Sequence, residues 1–211
     1  MGFLSRRPKT RSELVAEADR ARARGRVRKA VAGYRKALES DPSDPSLNVK
    51  LAPLLARIGD AEGGARCFRA AAKKHLDAGF TDRAAAVNLT ATAIFPLDEG
   101  FRLELSRLNV LRGRRQDALQ TLIEGGKVLA RARRPDAAAS LLGRALEIEP
   151  WHLDTCLALV PVLARNGAGK SAHKLVEGLL QRYRGPARKR IRWAAFRAWP
   201  GAGTFWRWLR A

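Results

Sequence analysis

The chain has 211 residues, of which 46% are hydrophobic and 29% charged, and its formal net charge at pH 7 is +21. This composition is typical of a protein that folds around a core, as one domain or two small ones, and no apolar run is long enough for a transmembrane helix. Two cysteines, Cys67 and Cys156, are too few for a disulfide framework or a metal site. No histidine lies beside a second plausible ligand. We therefore expect no bound metal, no cofactor and no enzymatic activity.

The first residues are basic but lack the apolar segment of a secretory signal. They predict a cytoplasmic protein whose two cysteines stay reduced and lie buried. Residues 1–10 are expected to form a flexible basic arm.

Helical periodicity predicts ten helices in the body of the chain and an eleventh near its end, with no strand. In chain order they are expected at about 11–24, 27–40, 45–57, 60–77, 81–95, 98–112, 114–132, 135–148, 151–165, 169–184 and 187–199. Pro53 and Pro161 fall inside two of these helices and predict a kink or a shortened helix at each.

One spacing of residues recurs along the chain. It consists of a glycine, a small residue, a large apolar residue and a second small residue, as in Gly25, Ala30, Tyr34 and Ala37. Later copies begin at Gly59, Gly113 and Gly167. The glycine ends one helix, the small residue lets the next helix approach closely, and the large residue fills the remaining gap. Each copy is therefore a helical hairpin with an apolar face that the next hairpin covers.

This spacing resembles the tetratricopeptide repeat (TPR), the helix–turn–helix unit of bacterial TPR solenoids. Frames starting at residues 11, 45, 99 and 153 fit the pattern, and residues 11–44 match it best. The resemblance implies a right-handed α-solenoid of TPR-like hairpins, with about ten repeat helices and a C-terminal capping helix. Residues 11–184 would form the repeat domain, and residues 185–211 a basic, aromatic tail.

A second, 54-residue period lies over the first, because residues 45–98 align without a gap with residues 99–152. Each copy holds three helices, so successive copies alternate in direction, and the sequence leaves open which faces line the concave groove. Gly63-Gly64 and Gly125-Gly126 lie inside helices with no strand before them. They predict close helix packing and not a phosphate-binding loop.

The charge is concentrated at the two ends, with +9 in residues 1–36 and +7 in residues 185–211. Six of the ten residues 20–29 are basic, which makes a patch suited to an anionic surface. If the first helix of each hairpin lines the groove, four arginines fall on its face: Arg22, Arg57, Arg107 and Arg165. Arginine there would pair with acidic side chains of a partner, although solvated surface arginines are the alternative.

The tail interleaves basic residues with aromatic residues, and five of these are candidate partner-binding residues: Trp193, Phe196, Trp199, Trp206 and Trp208. On a helix, one face would carry small apolar residues, and the first three aromatic residues would lie on the other. Three interpretations remain open: a capping helix docked on the last hairpin, an interfacial membrane anchor, and an anchor for a protein partner.

We therefore predict a non-catalytic cytoplasmic adaptor or scaffold that binds a protein partner of acidic character, with no small-molecule substrate. The alternative is a peripheral protein that binds a membrane surface or nucleic acid through its basic, Trp-rich ends. In that case it would lie at the inner face of the membrane, and nucleic acid is the weaker of the two options because no RNA-binding motif is present.

Overall fold

The computed structural model describes residues 9–200, and this part of the chain contains eleven α-helices and no strand. In order, helices α1 to α11 are Arg11–Ala23, Val27–Leu38, Pro45–Arg57, Ala61–Asp77, Thr81–Ile94, Glu99–Leu111, Arg115–Arg131, Pro135–Ile148, Leu153–Arg165, Gly169–Arg182 and Pro186–Ala198. Every bound lies within two residues of its predicted position. The predicted all-α class is thus confirmed.

The helix bounds repeat with the longer of the two sequence periods. The bounds of α3, α4 and α5, moved along the chain by one such period, coincide with those of α6, α7 and α8. Helix α9 follows α6 by the same interval.

The turns inside the hairpins are closed by residues in the left-handed conformation. Gly25 has φ +70°, and beyond it the Arg26 amide donates to the carbonyl of Ala21. This geometry ends α1 and reverses the chain. Gly79 has φ +78°, whereas Arg133, one 54-residue period later, holds φ +58° without the freedom of glycine. A side chain in this region costs about 1 kcal/mol, so this turn is kept by the packing around it.

Both internal prolines are accommodated within their helices. Pro53 lies inside α3 and Pro161 inside α9, and each helix continues for four further residues. Of the two predicted outcomes, the helix is not shortened at either proline, and the kink stays a prediction.

The contacts divide the chain into two compact units, one ending at Phe95 and the other beginning at Pro96. Unit 1 contains α1 to α5, and unit 2 contains α6 to α11. In unit 1 the large residues of the recurring spacing, Tyr34 and Phe68, are completely buried. The equivalent residue of unit 2, Leu122, is also buried, so the residues predicted to fill the gaps between helices do so.

Three helices of unit 1 meet at a part-buried polar contact. The Tyr34 hydroxyl of α2 donates to Oδ1 of Asp19 on α1, and Nζ of Lys50 on α3 lies 3.0 and 3.1 Å from the two oxygens of the same carboxylate. Burial and the bond to Asp19 raise the pKa of Tyr34 to about 12. The Tyr34 hydrogen bond is also the largest cause of the lowered pKa of Asp19.

In unit 2 the last helix docks on the hairpin before it. Ile191 of α11 is fully buried against a cluster of α9 and α10 residues that includes Cys156, Val160 and Leu179. Tyr183, just before α11, donates from its hydroxyl to the carbonyl of Trp151 at 2.7 Å. Of the three interpretations of the tail, this docking is the one expected of a capping helix.

The predicted close packing at the paired glycines is present in both units. A Cβ on Gly64 would lie 2.7 Å from the carbonyl oxygen of Ala52, and one on Gly126 would lie 2.6 Å from Cγ of Leu142. No side chain fits either position without a shift of its neighbours.

Candidate functional site

The first hairpin carries a dense group of positive charges, which we call the basic cluster. Its six members lie at the end of α1, in the following turn and at the start of α2: Arg20, Arg22, Arg24, Arg26, Arg28 and Lys29. Residues 20–29 contain no acidic residue. Because the chain reverses at Gly25, charges that are neighbours in sequence stay neighbours in space.

A surface cavity of about 540 Å³ opens beside this cluster, and we call it the basic groove. Its lining consists of four basic and two apolar residues: Arg26, Val27, Arg28, Lys29, Arg57 and Ile58. Since α2 folds back on α1 and α3 on α2, the end of α3 lies at the same end of unit 1 as the α1–α2 turn. This arrangement brings Arg57 beside the cluster, and Ile58 is 40% exposed there.

The carboxylates of α1 are already engaged by other groups. Glu17 pairs with Lys9 and with Lys29, the latter at 3.1 Å, and these two lysines lower the pKa of its carboxyl to about 2. Asp19 is held by Tyr34 and Lys50. These acids therefore do little to neutralise the arginines that line the groove.

Five arginines of this region form no ion pair within residues 9–200: Arg20, Arg24, Arg26, Arg28 and Arg57. Helix α2 adds to the positive potential, because its N-cap residue Arg26 makes no side-chain cap and the N-terminal end of a helix carries partial positive charge. Of the four basic residues that line the groove, Lys29 pairs with Glu17, whereas the three arginines have no counter-ion among the described residues.

The four predicted groove arginines have different environments, although all are exposed. Arg57 lines the basic groove. The guanidinium of Arg22 lies 4.0 Å from Oδ1 of Asp19, on the same helix. In unit 2, Arg107 donates two hydrogen bonds to Glu104, at 2.6 and 2.9 Å, which raise its pKa. Arg165 ends α9 and has no ion pair among residues 9–200.

Sequence reasoning recognised the basic patch but did not connect Arg57 to it. The available signal was the alternation of helix direction, since α1 and α3 must run the same way if each helix folds back on the one before. The ends of these two helices, Ala23 and Arg57, then lie at the same end of the unit.

A second candidate surface lies on α11 in unit 2. Trp193 is 49% exposed, and its ring stacks on that of Phe196 with centroids 5.6 Å apart and an interplanar angle of 29°. The helical pattern predicts Trp199 beside them, but this residue packs against the buried cluster, with its ring centroid 3.9 Å from that of His173. Trp206 and Trp208 lie outside the described residues, as do Arg6 and Arg7.

The described residues offer little for other chemistry. No group of three or more His, Cys, Asp or Glu residues within 9–200 could hold a metal ion. Cys156 is buried and Cys67 half-buried, and burial raises the pKa of both thiols, that of Cys156 to about 11. Across residues 9–200, none of the helices has the length and apolar character needed to cross a membrane.

Comparison with known proteins finds a repeat family that matches the C-terminal third of the described chain. Residues 129–199 match the family model of the tetratricopeptide repeat. The predicted resemblance to this family is therefore confirmed over that part of the chain. Members of this family are in general non-catalytic scaffolds for protein–protein interaction. The match lies over α8 to α11, and not over residues 11–44, where the repeat spacing fits best.

Solved structures similar to this chain have low sequence identity to it. BtubC from P. vanneervenii is 22% identical, with 90% of this chain and 82% of that chain covered and a TM-score of 0.38. A tetratricopeptide repeat protein from Parabacteroides merdae is 14% identical, with 95% and 92% covered and a TM-score of 0.30. A thermophilic TPR protein in Thermus thermophilus is 19% identical, with 73% and 99% covered and a TM-score of 0.25. No curated protein matches the sequence.

Proposed function

We propose that the protein is a non-catalytic adaptor that binds an acidic segment of a partner protein in the basic groove of unit 1. The observation that carries the proposal is the set of arginines around the groove that have no ion pair among the described residues. Arg57 belongs to the groove. Arg22, Arg107 and Arg165 are proposed as further contacts outside it.

Arginine suits this role because its planar guanidinium forms two parallel hydrogen bonds to one carboxylate. An exposed ion pair contributes only about 0 to 1 kcal/mol, so recognition would need several pairs together. The groove offers four basic side chains within one cavity, together with apolar surface from Val27 and Ile58. The matching ligand is a short segment in which acidic residues alternate with aliphatic ones.

The proposal ranks the predicted arginines by their surroundings. Arg57 and Arg165 have no ion pair within residues 9–200, whereas Arg107 is already held by the two hydrogen bonds that it donates to Glu104. A partner carboxylate would have to displace Glu104 before it could bind Arg107. We therefore expect Arg57 to matter most to binding and Arg107 least.

The test measures binding of a labelled peptide that alternates Glu and Leu, by fluorescence anisotropy with the full chain. The variant Arg28→Gln/Arg57→Gln is expected to weaken binding by about tenfold or more. Its matched control is Lys36→Gln/Lys74→Gln, which removes the same charge from exposed positions of unit 1 away from the groove. The control should bind almost as the wild type does.

Three results would contradict the proposal. They are an equal loss in the control variant, equal binding of a peptide with Gln in place of Glu, and unchanged binding after the groove arginines are replaced. The variant Arg28→Lys/Arg57→Lys distinguishes the effect of charge from that of hydrogen-bond geometry, since lysine keeps the charge but cannot form the paired hydrogen bonds. Tighter binding of single-stranded RNA in the same groove would move the protein to the nucleic-acid class.

A further inference from the structure

Helix α11 is strongly basic and unlike the rest of unit 2. Between Pro186 and Ala198 it carries five basic residues and no acidic residue: Arg188, Lys189, Arg190, Arg192 and Arg197. Arg190 pairs with Asp154 at the start of α9. The positive charge of the helix is therefore only partly compensated within unit 2.

The rotation of α11 about its axis is fixed by its buried side. Ile191 is fully buried, and Ala195, Ala198 and Trp199 pack on the same cluster of α9 and α10 residues. The positions that follow Ile191 by two and five residues, Trp193 and Phe196, consequently lie away from this contact. Their rings stack on each other, and the Trp193 ring is half exposed.

Basic residues flank this aromatic pair along the helix. Lys189 lies one turn before Trp193, Arg197 one turn after it, and Arg192 one turn before Phe196. Residues four apart on a helix lie on the same face. We call these five residues the aromatic–basic face.

We propose that the aromatic–basic face of α11 binds the surface of an anionic lipid bilayer. Aromatic rings, above all that of Trp, favour the headgroup level of a bilayer, and an anionic surface attracts each basic residue that lies near it. The charges stand on both sides of the rings along the helix, which suits a flat anionic surface better than a single acidic pocket. The helix docks on α9 and α10 from the opposite side, so it binds the surface without leaving its unit.

This proposal stands apart from the proposed adaptor function, because its residues lie in unit 2 and those of the basic groove in unit 1. Either can fail without the other. Together they describe an adaptor held at a membrane, but neither requires that combination.

The test uses the full chain and sedimentation with phosphatidylcholine vesicles, with and without phosphatidylserine, at low and high salt. We expect binding only to the vesicles that contain phosphatidylserine, and a steep loss as salt screens the charges. The variant Lys189→Gln/Arg192→Gln/Arg197→Gln should lower the partition coefficient by about tenfold or more. The variant Trp193→Ala/Phe196→Ala should lower it by about tenfold with its charge unchanged.

Matched controls remove equal charge or equal apolar surface elsewhere. Lys127→Gln/Arg131→Gln/Arg114→Gln loses the same three charges from exposed positions of unit 2, and Val110→Ala/Leu111→Ala loses exposed aliphatic side chains. The groove variant Arg28→Gln/Arg57→Gln serves as the third control. All three are expected to keep the wild-type partition, and circular dichroism of every variant should be unchanged.

Trp193 itself reports on the contact. The difference between the emission of the wild type and that of Trp193→Phe should shift to shorter wavelength when the anionic vesicles are added. Equal losses in the charge variant and its control, binding to neutral vesicles, or an unmoved Trp193 emission would each overturn the proposal. Binding of single-stranded DNA that depends on the same five residues and is not displaced by vesicles would overturn it in favour of nucleic acid.

Discussion

The two copies of the 54-residue period have the same helices but close their cores with different side chains. In the first copy Gly64 lies beneath the ring of Phe95, whose Cζ would be 2.9 Å from an added Cβ. One period later the same two positions hold Ala118 and Glu149. The first copy therefore has no side chain at this position of the helix and an aromatic ring at its end. The second copy has a methyl group on the helix and no ring at its end.

Further along the same helices, α4 and α7, the glycine lies in the second copy and the alanine in the first. In the second copy Gly126 lies against Leu142, whereas one period earlier these positions hold Ala72 and Asn88. In each copy the glycine faces the larger neighbour. The backbone is repeated while the volume within it is redistributed, which is how a close-packed interior tolerates sequence change.

The largest effect is expected from placing a methyl group where only the second copy has one. Gly64→Ala would put Cβ 2.7 Å from the carbonyl oxygen of Ala52, which belongs to the main chain of α3 and cannot rotate away. We expect a loss of about 3 kcal/mol in the free energy of unfolding, measured by urea denaturation. The control is Gly143→Ala, because nothing lies within 4 Å of that position in α8.

The control variant should be slightly more stable than the wild type, since alanine favours a helix over glycine. A Gly64→Ala variant as stable as the wild type would mean that α3 and α4 can separate without loss. The size difference between the two copies would then have no energetic meaning.

A smaller effect is expected at one position where the first hairpin differs from both later copies. The position filled by Phe68 and Leu122 is Tyr34 in that hairpin, the only one of the three with an ionisable group. Burial and the hydrogen bond to Asp19 raise the pKa of Tyr34 from 10.0 to about 12. Because the folded form holds the proton more tightly, its contribution is complete below pH 10 and is lost as the pH rises towards 12.

At a pH of about 11.5 the lost contribution amounts to about 2 kcal/mol. The stability difference between the wild type and Tyr34→Phe should therefore shrink by this amount between neutral and alkaline pH. Parallel urea titrations of the two proteins measure it, with Phe68→Leu as a variant of the same position that has no titrating group. A difference that stays constant with pH would place the Tyr34 hydroxyl in contact with water.

The sequence predicted the repeated backbone because few residue types can serve its turns and close contacts. Gly25 marks a left-handed turn and Ala30 a close approach, and both constraints are local. The positions of Arg57 and Trp199 depend on non-local or terminal geometry. Trp199 follows the last residue of α11 and has φ −133°, so it is not helical. The helical pattern therefore predicts the wrong side of α11 for its ring.

The smallest expected effect tests whether Gly126 and Leu142 compensate for each other's volume through direct contact. Gly126→Ala would place a methyl group 2.6 Å from Cγ of Leu142, which is a side chain and can yield. Each of the variants Gly126→Ala and Leu142→Ala should be destabilised, but the double variant should recover about 1 kcal/mol relative to the sum, because the second change makes room for the first. Thermal and urea unfolding of the four proteins give this coupling energy.

Gly143→Ala with Leu142→Ala is the additive control, since Gly143 has open space around it. A coupling of zero at Gly126 would mean that the two copies differ in composition without compensating in volume.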